Sequence, residues 1–117
     1  MKGLIHIYTG DGKGKTTAAV GLGVRACGCG MKVLMVQFLK GMQTGEMNAL
    51  KSLEPNFVLY RGTELKKFTW QMNESERIQT AAQQKSIFEY AVSSAVSDAW
   101  DLLILDEVLG AVGTGML

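Results

Sequence analysis

One proline, one histidine and two cysteines in 117 residues are conspicuous shortages, and each excludes something. Two cysteines cannot build a disulfide framework, and Cys27 and Cys29 sit so close together that a bridge between them would be severely strained. With no third cysteine, and with His6 far away in sequence, a C-x-C metal site would lack its remaining ligands. The pair reads as small thiols of a reduced, cytosolic protein. An excess of one charge is also missing: 12 Lys+Arg stand against 11 Asp+Glu, for a net charge of +1. That balance excludes the strongly basic face of a dedicated nucleic-acid binder and the biased composition of a disordered tail. No apolar run approaches the ~18 residues of a membrane span, because Arg25 and Lys32 interrupt the one candidate. Met1-Lys2-Gly3 leads straight into a strand pattern, not into a signal peptide. The expectation is a cytoplasmic protein without membrane or nucleic-acid partners.

What is present is an ordinary globular composition, 47% hydrophobic and 20% charged, sized for a single domain over residues 1–117. Leu4-Ile5-His6-Ile7-Tyr8 is a short apolar run of β-formers ended by Thr9-Gly10, hence a buried strand. A helix-prone stretch from Ala18 to Ala26 follows, with Ala19, Leu22 or Gly23, and Ala26 at helical spacing. Gly28 and Gly30 offer its stop, and the small residues suit a close approach to a sheet. Lys32–Leu39 and Asp101–Asp106 are further buried strands, residues 57–60 form a shorter one, and Lys40–Glu46 and Lys66–Asn73 are loops. Asn73 followed by Glu76 is an N-cap with its reciprocal acid. The helix it opens is expected to bury the face marked by Ile78, Ala81, Ala82, Phe88, Ala91, Val92, Ala95, Val96 and Ala99. Strands alternating with helices give a parallel sheet with crossover connections, an α/β fold. Four strands and no closing element after Asp106 lead us to expect the front part of a longer domain.

The glycines cluster where chemistry is expected. Gly10-Asp11-Gly12-Lys13-Gly14-Lys15-Thr16-Thr17 lies between the first strand and the first helix, the setting of a phosphate-binding P-loop. The glycines permit positive φ and leave room for phosphate oxygens against the backbone. Successive amides then form an anion nest, to which the helix N-terminus adds partial positive charge. Lys15 supplies a mobile cation and the Thr16 hydroxyl a ligand for Mg²⁺. The strict pattern has a further glycine where this chain has Thr9. The fourth strand ends in Asp106-Glu107, where P-loop proteins place a carboxylate that holds Mg²⁺. If both residues were extended they would point to opposite sides, and spacing does not say which one faces the metal.

The stretch from Gly3 to Gly41, together with TGE at 44–46, FTW at 68–70 and LDEVLGA at 105–111, closely resembles the P-loop ATP:corrinoid adenosyltransferases. The likeness covers essentially the whole chain. It implies a three-layer, RecA-like P-loop nucleotide-binding fold with helices on both faces of a mostly parallel sheet. The implied reaction moves the 5′-deoxyadenosyl group of ATP to the reduced cobalt of a corrinoid and expels triphosphate. It implies ATP and Mg²⁺ at Gly10–Thr17, metal binding by Thr16 with Asp106 or Glu107, and catalytic roles for Lys15 and Glu107. Phe68 and Trp70 match the aromatic pair beneath the corrin ring, and a flavoprotein is the implied reductant. A homodimer is the assembly the family suggests. Two departures stand out: Glu64-Leu65-Lys66-Lys67 replaces glycines before FTW, and the family's later strand and Thr-Gly-Arg segment have no counterpart. His6, mid-strand, is expected to be structural and not a cobalt ligand. The residues leave open which corrinoid is used, whether the role is synthesis or salvage, and two alternatives: a P-loop phosphotransferase such as a nucleoside kinase, or a nucleotide-binding fragment without chemistry.

Overall fold

The computed structural model describes residues 4–8, 15–38, 45–61, 71–113, 115 and 117. Four strands, β1 (Leu4–Tyr8), β2 (Val33–Gln37), β3 (Phe57–Tyr60) and β4 (Leu102–Asp106), alternate with four helices, α1 (Lys15–Gly28), α2 (Gly45–Lys51), α3 (Glu74–Val96) and α4 (Val108–Gly113). The strands form one open sheet in the order β1-β4-β2-β3, with every neighbouring pair parallel. Such pairing needs crossover connections, and the helices provide them. Strands β2 and β4 are central and buried along their whole length, as expected for the near-continuous apolar runs of a sheet covered on both faces.

Alternation along the strands sorts the core into two layers of packing. Val33, Met35, Leu102, Ile104 and Phe57 pack with Ala19 and Ala26 of α1 and Leu50 of α2. Leu34, Val36, Phe38, Leu103 and Leu105 pack on the other side, with Ile87 and Ala91 of α3 and Val108 and Ala111 of α4. Helices therefore cover both faces of the sheet. Helix α1 lies close because of Gly23: a Cβ there would stand 2.4 and 2.7 Å from ring carbons of the fully buried Phe57. Gly30, at φ 88°, turns the chain after α1 into β2. No described helix is long and apolar enough to cross a membrane.

Helix α3 starts where its cap dictates. The Asn73 side chain accepts from the Glu76 amide at 2.8 Å, and Glu76 Oε1 accepts from the Asn73 amide at 3.0 Å. The face it buries is not the expected one. Its buried residues are Thr80, Gln84, Ile87, Ala91 and Ser94, whereas Ile78 (64% exposed), Phe88, Val92 and Val96 (81%) face outward. Only Ala91 belongs to both sets. The apolar residues of α3 are spread round much of its circumference, so its orientation follows from what the sheet has room for: Tyr60 stacks on Tyr90 with centroids 4.1 Å apart. Two short helices, α2 and α4, were not anticipated; α2 overlaps the end of the expected Lys40–Glu46 loop, and α4 follows the fourth strand.

Candidate functional site

Because all four strands run the same way, their C-terminal ends share one edge, the edge at which open α/β sheets bind ligands. Helix α1 follows β1 and so begins at that edge, with Lys15 as its first residue and Thr16 in its first turn. The register sets Asp106 opposite Tyr8 on one side and opposite Gln37 on the other. The Phe38 amide donates to the Asp106 carbonyl at 3.0 Å, tying the ends of β2 and β4 together.

Three side chains meet there. Asp106 is fully buried and Gln37 is 4% exposed. The Thr16 hydroxyl donates to Asp106 Oδ2 at 3.0 Å, from ninety positions away in the chain. Gln37 Nε2 donates to the same oxygen at 3.2 Å. Burying a carboxyl and an amide is costly unless they are hydrogen-bonded, and here each is used by the other. Both face the α1 side of the sheet, in phase with Met35 and Ile104.

Glu107 behaves differently from the extended geometry on which the two-sided expectation depended. Its φ is 65°, a left-handed conformation that costs a non-glycine residue about 1–2 kcal/mol. The chain thus leaves the strand abruptly at Glu107, whose carbonyl accepts from the Ala111 amide at 3.1 Å to open α4. Asp106 remains the last residue of the strand, buried and in contact with Thr16, while Glu107 is half-buried. Of the other expected site residues, Thr17 is exposed on α1. Gly10, Asp11, Gly12, Lys13, Gly14, Phe68 and Trp70 lie outside the described residues.

A hydroxyl and a carboxylate whose oxygens lie 3.0 Å apart are hard oxygen donors of the kind Mg²⁺ takes, one or two protein groups being completed by phosphates and water. Among the described residues there is no cluster of three or more His, Cys, Asp or Glu that would favour a softer metal or an all-protein cage. Residues Asn73, Glu74, Ser75, Ile78 and Gln79 line an open depression of about 660 Å³ at the start of α3, which shares no residue with this cluster. Gln37 was not singled out from the sequence, though one signal was available: it is the lone amide in the apolar run Val33–Phe38.

The sheet edge and the Thr16–Asp106 contact define an open parallel α/β protein with a polar, oxygen-rich centre at the C-terminal edge of its strands. The chain belongs to the family described as ATP:corrinoid adenosyltransferase BtuR/CobO/CobP, whose model matches residues 1–117. It is 38% identical over 109 residues to the corrinoid adenosyltransferase of Escherichia coli (strain K12), covering 92% of this chain and 52% of that protein. Identity to the corrinoid adenosyltransferase CobA of Salmonella typhimurium (strain LT2) is 36% over 109 residues, again 92% and 52% of the two chains. For the corrinoid adenosyltransferase of Pseudomonas aeruginosa (strain PAO1) it is 32% over 116 residues, 99% of this chain and 56% of the relative. The chain thus spans about half the length of the curated relatives it matches.

Proposed function

We propose that this chain carries the ATP site of a corrinoid adenosyltransferase. The observation that carries the reading is the Thr16–Asp106 contact, which joins the residue after the P-loop lysine to the strand-end acid. Membership of the adenosyltransferase family supports it. In this reading the domain is a three-layer, RecA-like P-loop fold, and the amides of Gly10–Gly14 serve as a nest for the triphosphate, with Asp11, Lys13 and Thr17 among the ATP-binding positions. Lys15 reaches the phosphate oxygens as a mobile cation.

The reaction takes place at the ribose. The cobalt of the reduced corrinoid donates its electron pair to C5′, a cobalt–carbon bond forms, and the C5′–O bond breaks. Its electrons leave on triphosphate, so charge develops at the phosphate end of the nucleotide. Donors already aimed at that end stabilise the transition state more than the ground state. That is the task of the nest amides and Lys15. When bound, Mg²⁺ supplies further positive charge there. Thr16 and Asp106 are the residues that would hold it, with Glu107 the adjoining carboxylate and second catalytic position. Phe68 and Trp70 are assigned to the corrin face opposite ATP, where apolar surface would exclude a lower axial ligand. A flavoprotein reductant, a cytoplasmic location and a homodimer complete the reading.

Phosphorus NMR after incubation with ATP, Mg²⁺ and a chemically reduced corrinoid tests it. Triphosphate release with a corrinoid-dependent rate is expected. ADP as product would make the chain a phosphotransferase, and an unchanged ATP spectrum would leave it without adenosyl transfer.

A further inference from the structure

We infer that Gln37 is a positioning residue of the metal site: it fixes the Asp106 carboxyl group and, through it, the direction of the Thr16 hydroxyl. The inference deepens the reading of Thr16 and Asp106 as a Mg²⁺–triphosphate site and rests on it.

Gln37 stands where packing alone would select an apolar side chain. Residues 33 to 36 and Phe38 are all apolar and fully buried, and Gln37 between them is 4% exposed. An amide in such a place is disfavoured unless its hydrogen bond is used. It faces α1, whereas its chain neighbours Val36 and Phe38 pack toward α3. Lateral pairing places it beside Asp106 on the adjacent strand.

Two donors then converge on a single acceptor, with Thr16 Oγ1 at 3.0 Å and Gln37 Nε2 at 3.2 Å from Asp106 Oδ2. A threonine hydroxyl has one hydrogen and two lone pairs. With its hydrogen directed at Asp106, its lone pairs are turned away from the carboxyl, the orientation a hydroxyl needs to act as a ligand of a cation. That arrangement lasts only while Oδ2 stays in place. The terminal torsion of aspartate is broad and roughly two-fold, so the carboxyl has little orientation of its own. Gln37, anchored on a central strand, adds a fixed donor to that oxygen.

The test uses Mn²⁺ in place of Mg²⁺, with free Mn²⁺ counted by electron paramagnetic resonance at saturating ATP. Gln37→Met keeps the volume and removes the donor. We expect the Mn²⁺ dissociation constant to rise about tenfold, the size of one hydrogen bond to a charged group. ATP affinity in EDTA should stay within about twofold, and in an Asp106→Ala background the same substitution should change Mn²⁺ affinity by less than about twofold. Unchanged Mn²⁺ affinity in Gln37→Met would overturn the inference. So would an equal loss in the Asp106→Ala background, or an equal fall in metal-free ATP affinity. Should Gln37→Met fail to fold, Gln37→Asn, which withdraws the amide by one methylene, carries the same test. A parent chain that binds no Mn²⁺ with ATP would refute the site itself, whereas a binding parent with an indifferent Gln37→Met refutes only the role of Gln37.

Discussion

Gly21 and Gly23 lie two residues apart on α1, and alanine at the two positions should act in opposite directions. At Gly23 the new methyl would meet Phe57 at 2.4 and 2.7 Å and Val33 at 3.3 Å. Carbon atoms prefer separations of about 3.5–4.0 Å, so helix and ring must part by roughly 1 Å. Phe57 is fully buried and paired through β3 with the central strand β2, so in a close-packed interior its ring moves only by displacing its neighbours. Overpacking of this kind costs about 1–3 kcal/mol, against which the better helix propensity of alanine returns up to about 1. At Gly21 nothing lies within 4 Å, so only the propensity gain operates. Urea unfolding should therefore place Gly21→Ala above the parent by about 0.5–1 kcal/mol and Gly23→Ala below it by about 1–2 kcal/mol. Helix α1 also carries Thr16, so a helix lifted from the sheet should weaken metal binding, and Gly23→Ala should show both defects together. Adding Phe57→Leu should recover part of the loss, as expected for two residues in contact. Equal stabilities for the two alanine variants would refute the account of how α1 is seated.

Three further outcomes follow from the proposed site. Lys15→Ala should reduce MgATP affinity by on the order of a hundredfold, from the loss of a charge-assisted contact; calorimetry giving the parent value would mean that the glycine loop is not a phosphate site. Asp106→Ala should make nucleotide binding nearly indifferent to Mg²⁺, while Glu107→Ala should keep most of that dependence, because Asp106 is the acid in contact with Thr16; titrations of each variant with and without Mg²⁺ decide between them, and the reverse order would move the metal to Glu107. Phe68→Ala and Trp70→Ala should each still bind ATP but lose the four-coordinate cob(II)alamin signal in electron paramagnetic resonance, and a signal equal to the parent's in both would reduce the pair to packing residues.

The strands were the most legible part of the sequence. Leu4–Tyr8 and Phe57–Tyr60 have the bounds their apolar runs suggest, because buried strands of a parallel sheet leave little choice of residue. The start of α3 was equally plain, since the Asn73–Glu76 cap is a local interaction. Its buried face was not: Thr80, Gln84 and Ser94 turn inward while Val96 turns out, a choice made by the sheet beneath and not by the helix. From the loop and the strand end, Thr16 could be paired in advance only with one of two acids, Asp106 or Glu107. The choice between Asp106 and Glu107 could not, because it depends on a left-handed turn at Glu107, a position where the sequence has no glycine to signal it. The contribution of Gln37 emerged only with the strand order, which sets β2 beside β4.

That strand order also has a consequence in time. β1 is made first, yet its one partner in the described sheet is β4, with Leu4 paired to Leu102 and Tyr8 to Asp106. During synthesis at about 5–20 residues per second, the ninety positions between Thr16 and Asp106 correspond to roughly 5–20 seconds in which β1 lacks its partner strand β4 and Thr16 lacks Asp106. β2 and β3, whose pairing spans a short stretch of chain, are able to associate well before that. The polar centre at the sheet edge is thus among the last contacts to form, and a ribosome pause between β3 and β4 would prolong the exposure of an unpaired strand edge.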